Sequence, residues 1–525
     1  MALTLDELKT VTNRLYMRLQ SRRRPAEQAM AYYRGEQGAL QCATKEFQES
    51  SGKRYDGFSD NWCQPVASAG AERTAWRGIK LPGSAVGRLS PDESLLWGAL
   101  QDNDVDAQFA QAFLHAPIQK RSFVSVWGVL DGPDAGEPSV MVESATQAIV
   151  EYDPEVRRKR KYGFKVYVDD KWEYGTLSDA DYIYPMRRPL SAMTGISLSG
   201  IISPQVSAMM GQSDLIVPQV KGRPWQLITD PIPNHLHDVP LVELPYRPML
   251  DGKGPMSDIQ GVMSMQDAVN LLWAYMFNAA DFASLPARIV MGQAPPKVPV
   301  LDENGIKVGE RTIDPKELTA GRLLWLPSVD AKVGSWEPAS LDGFSRIIEQ
   351  LVGHIAAQSR TPAYYLMSQA GMSNVSPEGV ETGEAGLVMK VHASQEQYNG
   401  GLRDVAVLVA RQLGEDALAR QCRRAQIIWK NPRNPSPAQA ADAFQKYLAA
   451  GFPFEYLLSM DGRYSPAEIT EIMDMKAAED KKTADAAAKA ADALQPVVSK
   501  TDLQAQVTPL AGSEAPQPNS KVGVR

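Results

Sequence analysis

The sequence predicts an α+β, mainly helical chain, and three observations carry that reading. Two strongly apolar helices flank a β-patterned insertion between 257 and 360. A Gly/Ser-rich loop then feeds a third long helix that ends near Leu413. Strand-like runs crowd the stretch between 122 and 168. At 525 residues, 44% apolar and 22% charged, the chain can build three or four domain-sized units with cores of their own.

The chain opens with a helix. Leu5, Leu8, Leu15 and Leu19 are spaced along one face, and Thr4 with Glu7 forms a capping box, so the start is read as structure, not as a signal peptide. A basic run, Arg22-Arg23-Arg24, follows. Mixed α/β sequence continues to about Pro248, with strands expected at 122–129, 139–142 and 164–168. The basic segment 157–161 lies between two strand-like runs and is expected to be a solvated hairpin turn. Asp102 and Asp104 are expected to be solvated capping acids at a helix start.

The first long helix is expected to start at Ser257-Asp258, a good cap and first-turn pair. Val262, Met265, Val269, Leu272, Met276, Ala279 and Ala283 make one apolar stripe, while Trp273, Tyr275 and Phe277 lie outside it. A helix with apolar surface on two faces needs two partners. Asp267, Asn270 and Asp281 interrupt the run, so it is too short for a bilayer span of roughly 20 residues. It stops before Pro286.

Beyond it, 298–301, Asn304-Gly305 and 306–308 spell a hairpin with a type I′ turn, and 323–326 is a further extended piece. A second helix carries Leu341, Phe344, Ile348, Leu351 and Ile355 on one face and ends at Thr361-Pro362. A loop over 363–379 holds Tyr364, Tyr365, Met367, Gln369, Ser373 and Asn374. The third helix aligns Tyr398, Leu402, Val405 and Val409. Ser436-Pro437 and Ser465-Pro466 then start short helices, and Ser465 with Glu468 makes a second capping box. From 476 to 494 the sequence is Ala-, Lys- and Asp-rich, a solvated helix, and 495–525 has a disordered composition.

Chemistry is sparse. Cys42, Cys63 and Cys422 are too few and scattered for a disulfide framework, which indicates a reducing compartment. A net charge of −7 argues against an electrostatic clamp on nucleic acid. The stretch 371–386 has neither G-x-G-x-x-G nor a Walker lysine, no G-x-S-x-G elbow exists, and Asp302-Glu303 lacks the remaining positions of a calcium loop. The one alternative with any residues behind it is a soluble metal-dependent hydrolase or nuclease using His235, His237 and Asp238. A metal needs three or four convergent ligands, and only His115, His354 and His392 remain as further histidines. The expectation is therefore no catalytic site, no metal and no cofactor.

Six short segments, in order, resemble one family. Tyr32-Tyr33-Arg34-Gly35-Glu36 is similar to its YY-x-G-[ED] signature, and Asn61-Trp62-Cys63 with Ala71-Glu72-Arg73 to its NW-C…AER segment. Pro240-Leu241-Val242 with Tyr246-Arg247 resembles the approach to a channel helix whose LQD-A-x-N core is matched by 265–270. Pro286-Ala287-Arg288 with Gly292 resembles the exit, and Thr361-Pro362 with Glu384-Ala385 the end of the second helix. The family is the portal proteins of tailed bacteriophages, of the type found in long-tailed phages of Gram-positive hosts. The stretch 190–217 has no counterpart in that pattern.

The resemblance implies a cyclic ring, usually of twelve copies, at one capsid vertex. Each subunit would have a wing (1–256 and 380–435), stem helices (257–286 and 341–360), a clip (287–340), a tunnel loop (361–379) and a crown (436–480), then a solvated helix and tail (481–525). Double-stranded DNA would be packaged through the channel by a separate terminase large subunit and later ejected. Major capsid, scaffolding and head-completion proteins would be partners, with assembly in the host cytoplasm and no membrane. In that scheme Tyr364, Tyr365, Met367, Gln369, Ser373 and Asn374 face the DNA, and Val269, Trp273, Met276, Phe344 and Leu351 pack the stem. Twelve helices about 8–10 Å apart enclose a bore of about 25 Å, wide enough for a duplex.

Overall fold

The computed structural model describes residues 2–493 except 39, 41–42, 52–53, 56, 85–88, 130–131, 170, 191–223, 252–253, 285–287, 292–296, 302–306, 313–322, 327–340, 367–376, 434–436 and 461–463. Two compact units result, Met1–Ile469 and Thr470–Arg525.

Helix α1 (Leu5–Arg34) starts on the expected box: the Glu7 amide donates to Thr4 Oγ1 and the Thr4 amide to Glu7 Oε2. Leu8, Leu15 and Leu19 are buried, but Leu5, at the first position, stays 61% exposed. The buried leucines cover a sheet built from β1 (Ala148–Tyr152), β2 (Arg160–Val168), β3 (Trp172–Ser178), β4 (Tyr182–Pro189) and β5 (Gln226–Leu227), in that order, with Ile232–Pro233 also paired to β4 and Phe164, Leu177, Tyr184 and Met186 beneath. The basic run turns toward the protein: Arg23 donates to the Thr146 carbonyl, and burial, then the neighbouring Arg121, pushes Arg22 down to about 10.

A second sheet orders Leu241–Pro245, Arg121–Gly128 and Pro138–Ser144 antiparallel. Helix Val105–Gln119 and the long helix Pro377–Gln412 pack on it, burying Phe109, Phe113, Val124, Val242, Tyr398, Leu402, Val405 and Val409 in the largest core. The crossing is close at Gly401, where a Cβ would lie 2.4 Å from Leu244 Cδ2. A two-stranded ribbon, Trp76–Lys80 with Gln426–Trp429, borders the same core.

Between the two apolar helices, Lys297–Leu301 and Lys307–Thr312 pair antiparallel, as the Asn304-Gly305 turn between them predicts. The turn itself, like nearly all of 190–217, falls outside the described residues. Arg288–Met291 and Leu323–Leu326 pair parallel. Further on, the Ser465–Glu468 box starts the helix Pro466–Ala493, and every residue from Asp474 to Ala490 on it is exposed.

Three expectations need correction. The first long helix begins at Met263, not Ser257, because Asp258 is drawn inward: its amide donates to the Pro117 carbonyl and its carboxylate takes Lys390. The segment 157–161 is not wholly a solvated turn. Arg160 opens β2 with its side chain 4% exposed, paired to Asp238 at 2.9 Å and Asp404 at 3.7 Å. Asp102 caps the end of helix Pro91–Gln101, not a start, and Asp104 precedes the next helix with a left-handed backbone and no capping bond.

Candidate functional site at the base of the two long helices

Helices α2 (Met263–Ser284) and α3 (Leu341–Ser359) pack side by side. Val269, Ile348, Val352 and Ile355 are buried between them and a ring of residues from three other elements: Ala29 and Tyr32 of α1, Cys63 and Val66 of helix Cys63–Ala71, and Leu366. Leu272, Trp273 and Leu351 are half-buried against the same cluster. Ser345 approaches Met276 Sδ at 3.9 Å, and Phe344 is half-buried. Trp273, Tyr275 and Phe277 do carry a second apolar face, and the same chain covers part of it. Phe58 packs on Trp273 and Phe277, and Phe47 on Tyr275.

Around this apolar core the short segments singled out in the sequence close three polar joints. The first joins the 60–63 turn to α2. Gln266 is fully buried and uses both ends of its amide: Oε1 accepts the Trp62 amide at 2.6 Å, and Nε2 donates to the Asp60 carbonyl and to Asn270 Oδ1. Asn270 Oδ1 in turn accepts the Asp60 amide at 3.0 Å. The Asp60 carboxylate receives the indole N–H groups of Trp62 and Trp273 at 3.1 and 2.8 Å. One helical turn thus reads a non-helical backbone with side-chain amides, which satisfies groups that would otherwise be buried without partners.

The Tyr-Tyr segment belongs to the same joint. The Tyr32 hydroxyl lies 2.9 Å from both oxygens of Asp267, and the Tyr33 carbonyl accepts Asn61 Nδ2 at 2.8 Å. Gly35 ends α1 at φ +75°, where its amide and that of Glu36 return to the Tyr32 and Ala31 carbonyls, a turn that favours glycine. Burial raises the Asp267 carboxyl above its ordinary value, against the opposing Tyr32 bond. Burial, and then Asp267, pushes the Cys63 thiol up to about 12, so it is an inert packing group.

The second joint centres on Glu384 near the start of the helix Pro377–Gln412. Arg73 forks onto its two oxygens at 2.7 and 3.0 Å, and the Tyr364 and Tyr365 hydroxyls donate to the same carboxylate. Arg73 also donates to the Pro432 carbonyl at 3.1 Å and contacts the Tyr365 hydroxyl. The Arg73 bond, ahead of the other contacts, holds Glu384 below its usual range. The third joint is a buried pair, Lys390 with Asp258 at 2.9 Å, each about 3–4% exposed, and Lys390 also donates to the Ser359 carbonyl. Just past it Arg360 reverses the chain at φ +56° into Thr361-Pro362, both buried.

Both hydroxyls of the tyrosine pair expected in the tunnel loop are therefore committed to Glu384; what stays open is the Tyr365 ring, 38% exposed. Met367, Gln369, Ser373 and Asn374 lie outside the described residues. The histidines do not build a metal site. His235 bonds Gln412 Oε1 at 2.6 Å and lies tilted against the Trp127 ring, and Asp238 is held by Arg160. Among the described residues no three His, Cys, Asp or Glu side chains are grouped to hold a metal, and no helix is long and apolar enough to cross a membrane.

A mainly helical α+β subunit whose two apolar helices are jointed to an α/β body is the architecture that the sequence segments implied. The chain belongs to the family of phage portal proteins of the SPP1 Gp6-like type, whose model matches residues 15–482. It is similar to the portal proteins of Mycobacterium phages L5 and D29, each 24% identical over 386 residues that span 73% of this chain and 70% of the relative. Among solved structures it is similar to a chain described as "Virion of native gene transfer agent (GTA) particle", at 12% identity and a TM-score of 0.31, covering 79% of this chain and 92% of that one. Family membership makes this chain a structural, non-enzymatic subunit of a ring in the phage virion, serving as its portal.

Proposed function

We propose that twelve copies close into that ring, with α2 and α3 as the stem around a DNA-wide bore. The boundaries we assign are wing 1–256 and 380–435, stem 257–286 and 341–360, clip 287–340, tunnel loop 361–379 and crown 436–480, followed by a solvated helix and tail. The observation that carries this is the division of apolar surface on the helix pair. One side is sealed on the chain's own core, while Phe277, Leu341 and Ile347 remain 36%, 37% and 47% exposed. A heterologous interface that closes on rotation requires such a leftover face on every copy.

In this reading Val269, Trp273, Met276, Phe344 and Leu351 pack the stem. The tunnel loop, rooted at Tyr364 and Tyr365, presents Met367, Gln369, Ser373 and Asn374 toward the duplex. The terminase large subunit docks from outside during packaging and a head-completion protein replaces it; capsid and scaffolding proteins surround the wing during assembly in the host cytoplasm. Native mass spectrometry with negative-stain imaging of the purified chain tests the stoichiometry. A twelvefold ring with a central hole supports the reading, and a monomer stable across salt and concentration overturns it.

A further inference from the structure

We propose that Arg73 is a positioning residue that ties the described residues flanking 367–376, the expected tunnel loop, to the strand leading into the C-terminal helices. Its side chain is 8% exposed, and its two terminal nitrogens reach three separate parts of the chain. Toward the loop they meet Tyr365, before it, and Glu384, after it. Away from the loop they meet the carbonyl of Pro432, itself buried, on the continuation of strand Gln426–Trp429.

The rest of the geometry makes this a tie and not a chance contact. Residues 74–76 run beside 429–430: the Lys430 amide donates to the Ala75 carbonyl at 3.0 Å, and Trp76 pairs with Trp429. Gln395 donates to the Lys430 carbonyl, anchoring the same strand to the long helix. Further on lies helix Pro437–Ala449, which has no buried residue and packs Phe444 edge-to-face on Phe454. Glu384 joins the two ends, since hydroxyl donors that precede residues 367–376 reach a carboxylate that follows them. A shift of either loop end pulls on the guanidinium, and the guanidinium holds Pro432. The planar fork spans both carboxylate oxygens and still reaches the carbonyl and the Tyr365 hydroxyl from two nitrogens held in one plane; a lysine, with its one nitrogen, cannot grip the carboxylate bidentately. The tie does not depend on the loop facing DNA.

The test is amide hydrogen exchange by mass spectrometry on the full-length chain, read at 429–433 and 437–449. Tyr365→Phe and Glu384→Gln alter the loop side, and Arg73→Lys removes the fork while keeping the charge. Losing bonds to a charged group is expected to speed exchange at 429–433 about tenfold in all three variants. In the Arg73→Lys background, adding Tyr365→Phe or Glu384→Gln is expected to change nothing further at 429–433. Unchanged exchange there in both loop-side variants overturns the proposal. So does an equal increment with and without Arg73, which would mean the two sides communicate by another route. Ring formation, measured separately, reports on the portal reading and leaves this result independent of it.

Discussion

Gln266 holds the Asp60–Trp62 backbone as a neighbouring strand would, accepting the Trp62 amide and donating to the Asp60 carbonyl from one buried side-chain amide. An α-helix has no spare backbone groups along its side, so only a side chain can make this pairing. The joint between long helix and body therefore depends on a residue that a periodicity plot counts merely as polar.

Gln266→Leu is expected to destabilise the subunit by roughly 1–3 kcal/mol, since it strands two half-buried backbone groups at the lower end of about 1–3 kcal/mol each. Denaturant unfolding measures it. A loss under about 0.5 kcal/mol would show that the joint is dispensable.

Tyr32→Phe should weaken the fold more at neutral than at acid pH. Asp267 has its folded pKa raised above 3.8, so its contribution is full below 3.8 and is lost as pH rises through the folded value. The Tyr32 hydroxyl limits that loss by bonding the carboxylate, and its removal raises the pKa further. Thermal unfolding of both chains below the ordinary aspartate value of 3.8 and at neutral pH gives the sign. A larger loss at acid pH would contradict the assignment.

Glu384 should behave oppositely. Its folded pKa is depressed below 4.5, so its stabilisation is present above that value and disappears as pH falls through the folded one. Glu384→Gln is expected to flatten this acid limb of the stability profile, which a series of melting points across acid pH would show.

Trp273→Ala removes an indole that bonds Asp60 and packs against Phe58 and Phe277. Truncating a large aromatic costs on the order of 3–5 kcal/mol when fully buried. Trp273 is half-buried, so the lower end is expected, together with weaker ring assembly by native mass. Rings with unchanged thermal stability would place this face elsewhere.

Two adjacent glycines offer an internal control. A Cβ at Gly401 meets Leu244 and the Glu243 carbonyl, whereas none lies within 4 Å at Gly400. Gly401→Ala is expected to cost about 1–3 kcal/mol through overpacking. Gly400→Ala should gain up to about 1 kcal/mol from helix propensity. Equal effects in melting experiments would refute the close crossing.

Local signals were enough for much of the fold. The capping boxes at Thr4 and Ser465, the register of Tyr398 to Val409 and the hairpin flanking Asn304-Gly305 are set by hydrogen bonds and spacing within a few residues, and sequence reports such terms directly. The order of short segments gave the family. What spacing cannot report is where a polar side chain goes once the chain has collapsed. Asp258 looked like a helix start and became the buried partner of Lys390, 132 residues away; Arg160 looked like a turn cation and became the partner of Asp238. Tyr364 and Tyr365 could have been free loop residues, and Glu384 and Arg73 claimed their hydroxyls. Local terms by themselves determined the capping boxes, the helical stripes and the hairpin, but not the helix start near Asp258, the roles of Asp102 and Asp104 or the strand that begins at Arg160. The joints were decided only in three dimensions, because an unpaired buried charge or amide is costly and its partner is chosen by proximity after folding, whatever the separation in sequence.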